Sequence, residues 1–359
     1  MKTKKITLLL IAFTALFITG VKATTRLSTA TGGVWSTAAT WADNVVPATT
    51  DSVVIVSGAT VTTTAAVTCA GMEIQGTYTP GNFNTSNNGG LTLSGTMTLN
   101  GSTWVTKSIS ITSTGVLSGN TGKKLIVGTG STGTAGAACV ITNNGTINNG
   151  MVLEPHRYVS GLTLTGTAVT TPVIKEIKGD DTGTYTNGVS QEVIIDQDIN
   201  VGFVTVEDYA ATAGRTRTLT INQGKTVTLT AVGSYTQGWF HLWTNTSSAS
   251  NLIGKTTNTN DTENWVYNIN GTLDASNNGK IVLVTNYNSA ITTNTLTLNI
   301  GTNGVIKCPV GNTFIREGNA NNTITVNNNG TIIYAGTSYT TDRTAVAGTT
   351  LTSNSLLAT

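Results

Sequence analysis

Apolar and hydroxyl-bearing residues alternate over many short segments of the chain. Leu91–Leu93, Met97–Leu99 and Ile109–Ile111 each place their apolar side chains two residues apart. A period of two is the pattern of a β-strand with one buried and one solvated face. The same period returns in Leu296–Ile300, and we expect no helix of more than two turns. The pattern therefore predicts an all-β protein.

Glycine-containing corners separate these segments at a regular spacing. Gly76, Gly95, Gly115, Gly145 and Gly166 follow one another after 19, 20, 30 and 21 residues. A strand this short cannot bury its apolar edge alone, but many stacked copies can. A repeat of roughly twenty residues predicts a solenoid, which here is a parallel β-helix of about twelve to fourteen coils.

One β-helix domain is predicted over residues 24–336. Loop-rich insertions are expected near 150–217, where nine of the 17 acidic residues lie, and near 233–265. Insertions that grow from one face of a solenoid are the usual place for its function. The repeat pattern is lost over residues 337–359, so this segment is expected to be an irregular tail or a lower cap.

The N-terminal part of the predicted domain resembles a known family. Trp35 and Trp41 lead through Pro47 into the segment Asp51–Val56. This order is similar to the opening of secreted right-handed parallel β-helix proteins of Bacteroidetes, which have the pectin-lyase-like architecture. The resemblance covers residues 33–80 and implies a right-handed parallel β-helix with a tryptophan-containing N-terminal cap. It implies either a polysaccharide lyase or a non-catalytic surface protein, since the family contains both.

The first 23 residues have the pattern of a secretory signal peptide. Met1–Lys5 carries three lysines, an apolar run follows over Ile6–Gly20, and small residues lead to Ala23. This pattern predicts cleavage after Ala23 and a secreted or outer-surface location. A retained N-terminal anchor is the alternative, although the apolar run is short for a membrane span.

The charge balance argues against a nucleic-acid partner. Four of the 19 basic residues lie within 1–23, so the remaining 15, against 17 acidic residues, leave a net charge of −2. No lysine or arginine stripe remains to follow a phosphate backbone. The three cysteines, Cys69, Cys139 and Cys308, form no CxxC pair, so they are expected to be small buried residues, with one disulfide as the alternative.

A charged tetrapeptide in the first insertion is one candidate site. Glu154, His156 and Arg157 place a carboxylate, an imidazole and a guanidinium together around Pro155. A lyase needs a base near the proton that it removes and a cation that neutralises the substrate carboxylate. A local charged loop without catalytic function is the alternative, because the tetrapeptide matches no catalytic motif.

Two aspartates form a candidate metal site. If Val193–Ile199 is one strand, Asp196 and Asp198 share a face at roughly 6–7 Å from each other. Paired carboxylates are possible ligands of Ca²⁺, the only cofactor that the sequence suggests. The alternative is a solvated strand face with no cofactor.

A tryptophan pair in the second insertion is a candidate glycan platform. If Trp239–Trp243 is a strand, Trp239, His241 and Trp243 lie on one face and Phe240 and Leu242 on the other. The two indoles would then stack on sugar rings, with His241 donating a hydrogen bond between them. The alternative is that the loop 244–264 covers the pair.

These features predict a non-catalytic extracellular or cell-surface protein, structural or adhesive, that contacts polysaccharides or cell-surface glycans. A polysaccharide lyase or glycoside hydrolase that acts on an acidic polysaccharide is the second hypothesis. The two differ in whether acidic and basic side chains converge on one open face. After cleavage of the signal peptide no membrane span is expected.

Overall fold

The computed structural model describes residues 23–82, 84–120, 122–129, 134–148, 150–156, 158–177, 189–204, 215–233, 239–242, 263–277, 280–284, 295–308, 315–316, 323–334, 337–339 and 343–346. The predicted signal peptide lies almost entirely outside these residues. Within them, the only helix is the three-residue 3-10 helix Ala38–Thr40, and the remaining elements are strands. The all-β prediction is therefore confirmed.

The strands form three sheets that run along the molecule. Sheet 1 has thirteen strands, which are β1 Thr25–Leu27, β3 Ser52–Ile55, β6 Gly71–Ile74, β9 Leu91–Leu93, β12 Ile109–Ile111, β15 Cys139–Asn143, β18 Gly161–Thr165, β20 Gln191–Asp196, β22 Arg215–Ile221, β25 Glu263–Ile269, β28 Thr295–Ile300, β31 Thr323–Asn328 and β34 Arg343–Val346. Sheet 2 has six strands, which are β2 Gly32–Val34, β4 Thr60–Thr62, β7 Thr77–Thr79, β10 Thr96–Leu99, β13 Val116–Gly119 and β16 Thr146–Asn148.

Sheet 3 has fifteen strands. They are β5 Val67–Cys69, β8 Thr85–Asn87, β11 Thr103–Val105, β14 Lys124–Val127, β17 Val152–Pro155, β19 Val173–Ile177, β21 Ile199–Val204, β23 Thr226–Leu229, β24 Trp239–Leu242, β26 Thr272–Asp274, β27 Lys280–Val284, β29 Val305–Cys308, β30 Ile315–Arg316, β32 Thr331–Tyr334 and β33 Thr337–Tyr339.

The sheets are stacked as in a parallel β-helix. The chain visits sheets 1, 2 and 3 in turn, and each strand pairs in parallel with the equivalent strand of the coils before and after it. Twelve parallel strands follow one another in sheet 1 before the antiparallel β34 among the described residues. At ~4.8 Å per strand they span roughly 50 Å. This arrangement confirms the predicted solenoid.

Sheets 2 and 3 merge halfway along the solenoid. The second half of β19 pairs with β17 of sheet 3, while its first half lies beside β16 of sheet 2. In the next coil, β21 pairs with β23 through Ile199–Val201 and with β24 through Phe203–Val204. In the earlier coils a turn separates the strand of sheet 2 from the strand of sheet 3. In these two coils β19 and β21 each run continuously through that position.

The apolar side chains point into one continuous core. Under sheet 2, Val61, Tyr78, Met97, Leu117 and Ile147 form a column in register, and all five are buried. Each coil contributes one member to the column because alternate residues of a strand face opposite sides. Leu298 in sheet 1 is buried in the same way, as the alternation predicts.

Stacked glycines make the corner between sheets 1 and 2. A Cβ atom on Gly95 would lie 2.0 Å from the carbonyl oxygen of Gly76, and one on Gly145 would lie 2.3 Å from that of Gly115. No side chain fits at such a distance. The repeated glycines of the sequence are therefore the positions where consecutive coils approach most closely.

The N-terminal end of the solenoid is closed by two tryptophans. Trp35 and Trp41 are buried, their rings meet edge to face with centroids 5.1 Å apart, and Trp41 Nε1 donates to the Trp35 carbonyl oxygen at 2.8 Å. The buried carboxylate of Asp51 accepts hydrogen bonds from the backbone N–H groups of Thr24 and Ala48 and from Arg26 Nε. These contacts tie Thr24 and Arg26 to the first full coil.

The C-terminal end departs from the parallel pattern. Strand β33 pairs antiparallel with β32, and β34 pairs antiparallel with β31. Both strands lie within 337–359, where an irregular tail or a cap was expected. Their pairing covers the edges of the last parallel strands, which would otherwise present unpaired backbone groups.

Candidate functional site

The charged tetrapeptide lies on the outer face of sheet 3. Register places Trp104, Ile126 and Glu154 in one row across β11, β14 and β17. The neighbouring Val127 and Leu153 point into the core. Glu154 thus belongs to the outer row, yet it is only 1% exposed, and all four residues of β17 are buried. The outside of sheet 3 is therefore covered at this strand.

Three aromatic rings gather beside Glu154. The His156 ring stacks on Trp104 with centroids 4.9 Å apart and an interplanar angle of 26°. Tyr158 also contacts the His156 ring, edge to face, with centroids 5.5 Å apart. Trp104 and Tyr158 are half-buried, whereas His156 is 7% exposed. Together with Lys124 and Glu154, these three residues form what we call the sheet 3 cluster.

A close backbone approach fixes the position of the rings. Trp104 Nε1 donates to the carbonyl oxygen of Gly128 at 2.8 Å. Gly128 has φ +103°, and a Cβ atom there would lie 2.8 Å from the Cβ atom of Val159. The backbone N–H of His156 donates to the Val127 carbonyl oxygen at 2.8 Å. Glycine at 128 thus allows the chain after β14 to pass directly against residues 156–159.

Buried polar residues of sheet 1 hold the same corner from inside. Gln191 Nε2 donates to the carbonyl oxygens of His156 at 3.0 Å and Val159 at 3.1 Å. Arg217, which is 3% exposed, donates from Nη1 to Gln191 Oε1 at 3.4 Å. The solenoid interior is therefore polar where sheet 3 turns into sheet 1, and this polarity positions the backbone of the cluster.

The carboxylates of the cluster region are paired with lysines. Lys124 Nζ lies 3.0 Å from Glu154 Oε2, and Lys175 Nζ lies 3.0 Å from Glu176 Oε1. Both carboxylate side chains are nearly fully buried, while the lysines remain partly exposed. A buried carboxylate depends strongly on such a partner, since an uncompensated buried charge is costly. Each carboxylate is thus an ion-pair partner in an enclosed position.

The structure brings only part of the predicted residues together. Glu154 and His156 lie in one cluster, and Arg157 lies outside the described residues. Gln191, which contacts the His156 carbonyl oxygen, begins β20, and Asp196 ends it. Asp196 lies five positions after Gln191, so about 16 Å of strand separates the two residues. The aspartates therefore occupy a different corner from the sheet 3 cluster.

The aspartate pair differs from its expected geometry. Strand β20 ends at Asp196, and Asp198 lies past a bend at Gln197, so the two carboxylates are not on one strand. Asp196 accepts from Thr165 Oγ1 at 2.9 Å and from Asn222 Nδ2 at 3.0 Å. Asp198 accepts from the backbone N–H of Thr226 at 2.6 Å. Both carboxylates join consecutive coils.

Metal ligands do not cluster in the part of the chain that the structure describes, where no three His, Cys, Asp or Glu side chains come together. Cys69 and Cys139 are free and buried. Burial raises the pKa of the Cys69 thiol to about 12, and it also raises the pKa of Cys139. These thiols therefore act as small core residues, as expected from their spacing. The side chain of Cys308 lies outside the described residues.

The predicted tryptophan platform is described only in its backbone. Trp239–Leu242 forms β24, in which Trp239 pairs with Phe203 of β21 and with Lys280 of β27. The strand assumed for this segment is thus present. The side chains of Trp239 and His241, and the whole of Trp243, lie outside the described residues.

Sequence reasoning missed Trp104, Lys124 and Tyr158. These residues come from different coils, and only the register brings Trp104 against His156. One signal was present in the sequence. In Thr103–Val105 the alternation places a tryptophan between two inward positions, so a large apolar side chain faces outward. An outward tryptophan indicates a contact surface or a covering segment.

Comparison with known proteins does not assign the chain to a family. No protein family matches the chain, and neither a curated protein nor a solved structure shows significant similarity to it. Within the described residues, no helix has the length and apolar character that a membrane crossing needs.

Proposed function

We propose that this protein is a non-catalytic extracellular surface protein, structural or adhesive, that contacts glycans along the outside of sheet 3. The observation that carries the proposal is that the carboxylates of the candidate acidic residues already bond to other groups of the protein. Glu154 is paired with Lys124, Asp196 is bonded to Thr165 and Asn222, and Asp198 is bonded to a backbone N–H group. Carboxylates in these positions hold coils together.

Two half-buried rings support the glycan contact. Trp104 and Tyr158 flank His156 and remain partly open to solvent. An aromatic ring that is apolar on its face and hydrogen-bonded at its edge is typical of a contact surface. Lys124 is partly exposed on the same outer face of sheet 3, where it pairs with Glu154, and supplies a cation for an acidic sugar.

The family proposal extends the resemblance of residues 33–80. A parallel β-helix with a tryptophan-containing N-terminal cap agrees with the pectin-lyase-like proteins that this segment resembles. Right-handed winding is part of the proposal, because parallel crossover connections are right-handed in nearly all proteins. Export is a further part, and N-terminal sequencing of the mature protein should begin close to Thr24.

The glycan contact is tested by electrophoresis in native gels that contain soluble polysaccharides. We expect at least one acidic polysaccharide to retard the wild type, and Trp104→Ala to weaken the interaction by about tenfold, as loss of an aromatic contact of ~1 kcal/mol or more predicts. Ser86→Ala, in the same outer row, is the control and should bind normally. Equal retardation of the wild type and Trp104→Ala would exclude Trp104 from the contact. The double variant Trp239→Ala/Trp243→Ala tests the second predicted platform in the same gels.

A polysaccharide lyase is the second candidate function. It is favoured by one observation, the position of a buried carboxylate, an imidazole and a lysine within a single cluster. The protein is incubated with pectate or alginate and Ca²⁺, and the absorbance of unsaturated products is followed. We expect no increase. An increase that is lost in His156→Ala would place the lyase first, and one that is lost in Asp196→Ala would assign the calcium site.

A further inference from the structure

The outer face of sheet 2 carries a two-dimensional array of short polar side chains. Five consecutive strands, β4, β7, β10, β13 and β16, each point two side chains outward in register. The ten positions of this hydroxyl array form two rows along the solenoid, which are Thr60, Thr77, Thr96, Val116 and Thr146 in the first and Thr62, Thr79, Thr98, Ser118 and Asn148 in the second.

The array is regular because the backbone beneath it is regular. The hydrogen-bonded strands lie ~4.8 Å apart, and outward residues of one strand lie ~6.6 Å apart. The buried column from Val61 to Ile147 anchors every strand from inside. The stacked corner glycines Gly76, Gly95 and Gly145 immediately precede Thr77, Thr96 and Thr146, so three strands enter the sheet from equivalent turns.

The threonine hydroxyl groups of the array make no hydrogen bond within the part of the chain that the structure describes. Among the described residues, none of the seven threonine hydroxyls bonds to another protein group, and only Ser118 and Asn148 bond to each other, at 2.6 Å. Outward polar groups elsewhere bond along the solenoid. Asn268, Asn299 and Asn327 of sheet 1 form such a ladder, with 2.9 Å between successive amides. The threonines of the array thus present free hydroxyl and methyl groups to the outside.

The array contains no charged and no aromatic side chain. The later coils differ. After β21, the strands β23, β26 and β29 follow one another in sheet 3, and the outer face of β26 and β29 carries the ion pair of Asp274 and Lys307 at 2.9 Å. A surface that is uncharged and repeated in two directions matches a partner with the same properties. The array offers no charged group that could pair with a charged polymer and no aromatic ring on which a sugar ring could stack.

We propose that the hydroxyl array binds the surface of ice. Ice presents a flat lattice of hydrogen-bonding oxygen atoms, with a repeat close to the spacing between coils. Threonine hydroxyls on a rigid lattice can complete that hydrogen-bond pattern, while the methyl groups and Val116 occupy the spaces between. A rigid site has little side-chain entropy to lose on binding, because β-branched threonine has few χ1 rotamers. The proposal does not rest on the glycan contact, whose residues lie on another sheet.

The experiment measures the enrichment of the full-length protein in a slowly growing ice hemisphere, together with inhibition of ice recrystallisation. The array variant is Thr79→Tyr/Thr98→Tyr, which places two bulky groups at the centre of the array. The control is Thr92→Tyr/Ser110→Tyr, at exposed positions on the outer face of sheet 1 in coils that also contribute to the array. Circular dichroism melting establishes that both variants are folded. We expect the wild type and the control to be enriched and the array variant to be enriched at least tenfold less.

Three results would overturn the proposal. The wild type could be excluded from ice like an inert protein of the same size. Both variants could lose enrichment equally, which would remove the assignment to sheet 2. Finally, an insoluble neutral polysaccharide could retain the wild type but not the array variant while ice retains neither, which would make the partner a glycan. The variant Thr79→Val/Thr98→Val keeps the side-chain shape and should lose less enrichment than the tyrosine variant.

Discussion

The outer faces of sheets 2 and 3 are built by the same coils and yet differ in almost every property. Sheet 2 presents short, uncharged side chains with free hydroxyl groups around Thr77 and Thr96. Sheet 3 presents tryptophan, histidine and lysine, together with Glu154, which is 1% exposed. The strands alternate in the same way in both sheets. The difference therefore does not come from the direction in which the strand residues point.

The connections between strands explain the difference. Two residues separate Leu93 from Thr96 at the corner between sheets 1 and 2, and a glycine keeps this corner tight. Eleven residues separate Val127 from Cys139 where sheet 3 leads to sheet 1, and part of this segment packs against residues 156–159. Short corners leave a sheet face open and regular, whereas long connections fold back and enclose polar groups. The long connection after β14 thus accounts for the enclosed polar groups on the outer face of sheet 3.

The largest expected effect is the difference in stability between an inward and an outward substitution on the same strand. Leu117 is completely buried under sheet 2, and Ser118 is the next residue on the outside. We expect Leu117→Asp to lower the free energy of unfolding by more than about 4 kcal/mol, because the core offers no partner for a carboxylate. Ser118→Asp should cost less than about 1 kcal/mol. Urea unfolding measures both, and similar midpoints would show that the inward assignment is wrong.

The next effect tests whether sheet 3 encloses its charges. Lys124 is paired with a buried carboxylate, whereas Lys307 and Asp274 are both more exposed. We expect Lys124→Met to destabilise the protein by about 3 kcal/mol, since it leaves Glu154 with its main cation removed. Lys307→Met should cost less than about 1 kcal/mol. Equal losses in thermal or urea unfolding would mean that the sheet 3 cluster is no more enclosed than an ordinary surface pair.

A smaller effect depends on pH and concerns Asp274 of sheet 3. Burial raises the pKa of Asp274, but hydrogen bonds from Ser276 and the pairing with Lys307 outweigh it and leave the pKa below its ordinary value. A lowered folded-state pKa stabilises the protein above the unfolded value of ~3.9, and this contribution is lost as the pH falls through the folded-state pKa. We expect Asp274→Asn to flatten the stability profile below about pH 4. Thr98→Val, in an array without titratable groups, should leave the profile unchanged.

The smallest expected effect is at the hydroxyl array. Thr77→Val removes a hydroxyl group that bonds to no described protein group and keeps the side-chain shape. We expect the free energy of unfolding to change by less than about 0.5 kcal/mol. Thr165→Val, which removes a donor to Asp196, should cost about 1 kcal/mol or more. A large loss at Thr77 would indicate that its hydroxyl group serves the fold rather than the outer surface.

The fold class and the position of the corners could be predicted from the amino-acid sequence alone. Alternation in segments such as Leu91–Leu93 predicts which side chains face the core, because successive residues of a strand point to opposite sides. The glycine spacing predicts the coil length, because a Cβ atom at position 95 would lie only 2.0 Å from the Gly76 carbonyl oxygen, so only glycine fits at this corner. The Thr-x-Thr pattern of Thr77–Thr79 and Thr96–Thr98 is also readable in the sequence. These features are local, and neighbouring residues suffice to define them.

The contacts between residues of different coils could not be predicted from the sequence and became visible only in the folded protein. Trp104 stacks on His156 from 52 residues away, and Asp196 bonds to Thr165 and Asn222 in the coils on either side. The sequence separations of such contacts vary with every insertion, so no fixed spacing in the sequence predicts them. The hydroxyl array arises in the same way, since its rows exist only when backbone hydrogen bonds align Thr60, Thr77 and Thr96. Parallel pairing sets the register, and the register converts a one-dimensional repeat into a surface.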